Sequence, residues 1–317
     1  MEARSRLQGI IRPATEETSI EVDLRDQDQS TRAVARRMAR DGTIVIAIGS
    51  LVAGIAAYLF QIIGGRALGD EGFAPVAALL SIHSLILAVL LTPVELLTVR
   101  RLTLTRGGAP DEHDRRAIAI TIAAAVGVMV GFIGFTLGHY FENQGTYILI
   151  GAVVVITHAV FALGRGALAG RGRYVAYGVA SGTAALLRVA LALAWLGRPT
   201  DIELAWAVAL PPLIILLWKP FRRRQEAMRV PGRAGSGSLM AGFVLSGAIS
   251  QAFVLVGPLV AGAIEPDQAA VATVVSVVFV TFSLARAPLL LAQNLAARLL
   301  AGLTKLVART DYLALRR

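Results

Sequence analysis

A chain of 317 residues that is 56% apolar, 16% charged and free of cysteine holds no disulfide, thiolate metal site or cysteine nucleophile. Its mean hydropathy of +0.66 departs from soluble usage in the direction of repeated membrane spans. The net charge of +10 would suit a nucleic-acid partner only if the basic residues shared one soluble face; they sit instead in short stretches between apolar runs, so nucleic acid is not expected as a partner.

Residues 1–42 carry eight arginines against eight acids and little apolar content, which predicts a disordered cytoplasmic tail with some helix near Arg32 to Arg40. Beyond it, at about 20 apolar residues per crossing, the pattern predicts an all-α polytopic membrane protein with eight transmembrane helices. They fall near 43–65, 74–98, 117–138, 146–164, 174–196, 202–218, 240–263 and 268–297. In the sixth, Asp201 and Glu203 lie at an interface, and Trp206 and Trp218 anchor the two ends.

The connections alternate in charge. One set holds Arg36, Arg37 and Arg40, then Arg100, Arg101, Arg106, Arg115 and Arg116, then Arg165, Arg171 and Arg173, then Lys219 through Arg233, and finally Arg298 to Arg317. The other set holds Asp70 and Glu71, then His139 to Gln144, then Arg198 to Glu203, then Glu265 and Asp267, with Arg66 and Arg198 as its basic residues. Positive charge marks the cytoplasmic side, so both termini are expected there, in the cytoplasmic membrane of a bacterium. Residues 219–238 end in PGRAGSGS, a flexible inter-lobe loop dividing an N-terminal six-helix lobe, 43–218, from a partial second lobe, 239–317. An offset of about 195 residues places Pro93 on Pro288, so spans seven and eight read as a second copy of spans one and two.

The stretches GGRALGDEGFAPVAAL (64–79) and GRGALAGRGRYVAYG (164–178) together resemble the multidrug/oligosaccharidyl-lipid/polysaccharide (MOP) flippase superfamily, especially its bacterial polysaccharide exporters. The resemblance implies two six-helix lobes around a central cavity and alternating access that carries a lipid-linked saccharide across the membrane. It also implies twelve or more spans. The expectation is therefore a C-terminally truncated chain, or a second chain or dimer that supplies the missing helices.

Polar residues inside the spans are the candidate cavity. Counting about 100° per residue puts Ser50, Gly54, Tyr58 and Gln61 on one face of span one, and Ser81, Ser84, Thr92 and Glu95 on one face of span two. Arg286, Ser283 and Gln293 mark span eight, where Pro288 opens local backbone geometry. Arg188 lies mid-span in the fifth among Ser181, Ala184 and Ala185. A cation at that depth is costly unless it faces protein or water. Either Arg188 and Arg286 bind substrate phosphates, or one of them pairs with Glu95 or with backbone carbonyls. Glu95, five residues from Arg100, reads as an ion-pair residue or a coupling group. Small residues such as the serines and glycines also serve simple helix packing.

Gly164, Gly166 and Gly170 lack the G-x-G-x-x-G spacing of a phosphate loop, and the four histidines show no ligand spacing, so no cofactor and no metal site is expected. Expected partners are membrane lipid, a lipid-linked saccharide and a coupling ion. Three other functions remain open: a multidrug cation antiporter of the same superfamily, a membrane-bound saccharide ligase or glycosyltransferase, or a non-transporting membrane scaffold. The short outside loops argue against an enzyme.

Overall fold

The computed structural model describes residues 15–104, 112–136, 144–195, 197, 200–220, 242, 244–245 and 297–304. The chain divides at Ile44 into two compact units. In the first, residues 15–44 are helical, where the sequence reading confines helix to the neighbourhood of Arg32 to Arg40.

Six helices of the described chain are long and apolar enough to cross a membrane: α1 (Ile44–Gly69), α2 (Gly72–Leu104), α3 (Arg115–Gly134), α4 (Gln144–Gly170), α5 (Tyr174–Ala194) and α6 (Asp201–Trp218). This is a multi-pass membrane protein. Spans seven and eight of the sequence reading lie outside the described residues, apart from isolated positions and the helical segment 297–304. The repeat across the 219–238 loop lies outside them too.

Gly69 separates α1 from α2 at φ 69° and ψ 177°, a conformation that a side chain would strain. The odd-numbered helices therefore run from the arginine-rich end to the acidic end, and the even-numbered ones return. At the acidic end α6 starts with a capping box: Thr200 Oγ1 accepts from the Glu203 N–H at 3.3 Å, and the Thr200 N–H donates to Glu203 Oε2 at 2.9 Å. Tyr147 of α4 donates to Asp201 Oδ2 at 2.7 Å and ties α4 to α6 there. Gln144 caps the end of α3, donating to the carbonyls of Ile133 and Gly134 at 3.2 and 2.8 Å.

Helix α4 is the hub, packed against α2, α3, α5 and α6. Two pairs of glycines four residues apart let backbones meet. On α4, a Cβ at Gly166 would lie 2.7 Å from the Glu95 carbonyl oxygen, and one at Gly170 would lie 2.8 Å from Leu102 Cβ, both on α2. On α5, a Cβ at Gly178 would lie 2.6 Å from the Val45 carbonyl oxygen of α1, with Gly182 against Val52 and Gly49 below it. Close approach of this kind holds membrane helices together where lipid offers no hydrophobic drive. The GRGALAGRGRYVAYG stretch is thus two packing seams joined by a turn, in which Gly172 takes φ 74°.

At the basic end, Arg171 donates to the Pro220 carbonyl, and Arg173 donates to that of Trp218 at 3.2 Å. Burial, with Arg173 beside it, holds Arg171 below the ordinary arginine pKa. The described segment 297–304 lies on the same end: Ala297 and Ala301 are buried with Ile46, Leu96, Val99, Leu168, Tyr177 and Ile215, and the Arg298 guanidinium sits 5.1 Å from the Tyr174 ring centroid.

Candidate functional site

Three helices, α2, α4 and α5, each place two polar side chains inside the bundle, and these meet at two levels. At the level nearer the acidic end are His83 of α2, His158 of α4 and Arg188 of α5. The two histidines are each 4% exposed, their rings meeting edge to face with centroids 4.0 Å apart. His158 Nδ1 lies 2.8 Å from the Val154 carbonyl, so that nitrogen carries the proton and Nε2 presents a lone pair. Arg188 aims its Nη2 at that lone pair from 3.5 Å. Its Nε is shut off from solvent and has no hydrogen-bond acceptor. Among the described residues Arg188 has no carboxylate in salt-bridge range.

The level nearer the basic end is electrically closed. Glu95 of α2, 7% exposed, accepts from Arg165 Nη2 of α4 at 3.1 Å and from the Tyr177 hydroxyl of α5 at 2.8 Å. Arg165 also donates to the Tyr177 hydroxyl and lies over its ring, 4.5 Å from the centroid, with Phe161 at 5.5 Å. A carboxylate, a guanidinium and a phenol thus meet at membrane depth, where a charge left alone costs several kcal/mol (roughly 3 to 5 when one partner is removed).

The alignment of the two levels follows from helix phase. His158 and Arg165 are seven residues apart, and Tyr177 and Arg188 eleven, so at about 100° per residue each pair lies within about 20° of one meridian. His83 and Glu95 are twelve apart, which in a regular helix would leave them about 120° out of phase. A π turn over Leu87–Leu91 takes up the extra residue and brings Glu95 round to the face of His83. Pro93 lacks the N–H that a regular turn needs, and Thr92 donates both its N–H and its hydroxyl to the Leu87 carbonyl.

Uniform counting groups Glu95 with Ser81 and Ser84; the π turn separates them. Ser81 instead hydrogen-bonds the Ala77 carbonyl of its own helix at 2.9 Å. On α1, Ser50 is buried and bonds the Ile46 carbonyl at 2.8 Å, Tyr58 is exposed, and Gln61 is half-buried with Oε1 enclosed and without a donor. Ser283, Arg286 and Gln293 lie outside the described residues. The structure pairs Glu95 with Arg165, which the charge pattern had assigned to a loop. Helix α4 continues through it to Gly170, because Gly166 and Gly170 seat that last stretch against α2. Sequence alone does not single out Tyr177, His83 and His158; spacing from Arg188 and Arg165 marks Tyr177 and His158, while His83, out of phase with Glu95 in a regular helix, carries no such signal. Among the described residues no three His, Asp or Glu side chains gather to hold a metal.

No protein-family model matches the sequence, and no curated protein matches it significantly. Solved structures do match the fold. A MOP superfamily transporter from Pyrococcus furiosus, described as having a binding pocket of reversed polarity that suggests a different function, aligns at a TM-score of 0.55 and 16% identity. The alignment covers 83% of this chain and 64% of that one, so this chain spans under two thirds of that transporter's length. A MATE protein in complex with Br-NRF aligns at 0.53 and 16% identity, over 86% of this chain and 70% of its own. The fold is therefore that of the MOP superfamily transporters.

Proposed function

We propose that this chain is a membrane transporter of the polysaccharide-exporter type, moving a phosphate-bearing, lipid-linked saccharide precursor across the bacterial cytoplasmic membrane by alternating access. The arginine-rich end faces the cytoplasm on this reading, because basic residues are retained there. The observation that carries it is Arg188, a guanidinium at membrane depth with no carboxylate partner among the described residues. A phosphate can take several of its N–H groups at once, which a lone histidine nitrogen cannot. Arg286, one span eight residue of the candidate set, would add a second cation, and Gln61, Tyr58, Ser283 and Gln293 would supply polar contacts to the sugar.

Export of a lipophilic cation is the second reading. It rests on Glu95, a carboxylate inside α2, and on the likeness to a MATE structure. Glu95 already has two donors, which favours the anionic substrate. The test is Arg188→Gln in cells that depend on the transporter. Loss of polysaccharide export with normal membrane abundance supports the first reading; unchanged export removes Arg188 as a substrate ligand.

A further inference from the structure

Three cations share one corner at the arginine-rich end, where α4 turns into α5 and α6 stops. Helix α4 closes in a Schellman turn: the Arg173 N–H donates to the Leu168 carbonyl at 2.8 Å and the Gly172 N–H to that of Ala169 at 2.9 Å. Gly172 takes the left-handed φ of 74° that this turn requires. Arg171 and Arg173 flank that glycine and both reach the end of α6, Arg171 donating to the Pro220 carbonyl and Arg173 to that of Trp218 at 3.2 Å. Lys219 is the residue between those two carbonyls. It sits at φ 47° and ψ 52°, a backbone conformation that favours glycine and disfavours lysine.

The carbonyls do not neutralise this charge. Each contact uses one of the five N–H groups of a guanidinium. Among the described residues no carboxylate lies in salt-bridge range of Arg171, Arg173 or Lys219. Arg173 and Lys219 are exposed and Arg171 is half-buried. Aromatic rings mark the depth: Tyr174 follows Arg173, Trp218 precedes Lys219, and both are partly buried against the core at this end. Rings beside cations are the arrangement found where spans meet lipid headgroups. Along the adjoining spans the exposed side chains are apolar, Val175 and Val179 on α5 and Leu213, Leu216 and Leu217 on α6, and these two helices pack together.

We infer that Arg171, Arg173 and Lys219 form a binding site for the phosphate of an anionic phospholipid, whose acyl chains lie along α5 and the end of α6. Cations without carboxylates, set at headgroup level beside apolar surface, complement a lipid that carries net negative charge. A soluble anion would leave that surface uncovered, and a zwitterionic headgroup would leave the charge unbalanced. Since the two guanidinium groups already link the α4–α5 turn to α6, a lipid held by them and by Lys219 ties the three helices at this corner. Arg173 stands fifteen residues before Arg188, about 22 Å along α5, so the site is independent of any substrate bound at Arg188.

The test is the melting temperature of the full chain in detergent with phosphatidylglycerol or phosphatidylcholine added at equal concentration, together with native mass spectrometry of the lipid retained. Phosphatidylglycerol should raise the melting temperature and stay bound where phosphatidylcholine does not. Lys219→Gly removes one cation and relaxes its backbone, so without lipid it should melt at or above the wild-type temperature, yet bind phosphatidylglycerol about fivefold more weakly. Arg173→Gln should weaken binding by a similar factor, and Arg66→Gln, exposed at the acidic end, should leave it unchanged. Equal retention of the two lipids overturns the inference, as does phosphatidylglycerol binding that ignores Lys219→Gly and Arg173→Gln or falls equally in Arg66→Gln. Inorganic phosphate that stabilises the chain as much as phosphatidylglycerol assigns the corner to a soluble anion and also overturns it.

Discussion

A Cβ placed on Gly166 of α4 would stand 2.7 Å from the carbonyl oxygen of Glu95 on α2, and 2.8 Å from Cβ of Thr98. Both neighbours are rigid, so a side chain there has to push the helices apart. The spacing between α2 and α4 is also what lets Arg165, the preceding residue, reach the Glu95 carboxylate. Packing and polar pairing are therefore set by one contact. Gly166→Ala should destabilise the protein by about 1–3 kcal/mol, read as a lowered melting temperature in detergent. Gly127→Ala on α3, where nothing lies within 4 Å, should leave it unchanged or slightly raised. Equal melting temperatures for the two variants would contradict the packing argument.

The closed group of Glu95, Arg165 and Tyr177 predicts strong coupling between substitutions. Arg165→Met leaves a buried carboxylate with one donor and should cost about 3–5 kcal/mol. Adding Glu95→Gln to it should recover part of that loss, since the amide carries no charge to strand. Tyr177→Phe removes the hydrogen bond that the hydroxyl donates to Glu95 and the one it accepts from Arg165, and should cost at least about 1.5–3 kcal/mol. Chemical denaturation of the single and double variants measures the coupling. Additive losses would mean that the three side chains act separately.

Much of this architecture is legible in the sequence, and the gaps have physical causes. Each of the six described spans overlaps an apolar run, because crossing length and charge exclusion act on composition alone. The ends differ: the apolar run of α4 stops at 164, but the helix continues to Gly170. A hydropathy reading treats Arg165 as the end of a span, yet a guanidinium with a carboxylate and a phenol beside it can lie within one. Those partners arrive from α2 and α5, 70 and 12 residues away in the chain. The phase of Glu95 escapes uniform counting for a different reason. Counting assumes a uniform turn, and a π turn is a local insertion that periodicity cannot report.

That π turn makes the sharpest prediction about α2. It stores one residue more than a regular helix needs between His83 and Glu95. Deleting Val89 from it should leave a regular helix with both side chains still on one face. Such a variant should fold and retain the Glu95 to Arg165 pair, shown by the same penalty for Arg165→Met as in the wild type. Deleting Ala162, in the regular helix between His158 and Arg165, instead rotates Arg165 by about 100° away from Glu95. It should cost as much as losing the ion pair, plus the packing of a buried alanine. The reverse order of stability would show that the π turn does not set the register.

The upper level predicts a separable effect of His158. Its Nδ1 proton is held by the Val154 carbonyl, so Nε2 is left to face Arg188 as an acceptor. His158→Phe keeps an aromatic ring against His83 but removes that acceptor, the lone pair that faces the Arg188 guanidinium among the described residues. If an anion is the natural occupant, the variant should bind UDP-glucose as well as the wild type or more tightly, while its stability without ligand falls by about 1–3 kcal/mol. Ligand should then raise the melting temperature of His158→Phe by more than it raises that of the wild type. A variant that is destabilised equally with and without ligand would mean that His158 serves Arg188 as a structural partner and that the anion does not reach this level.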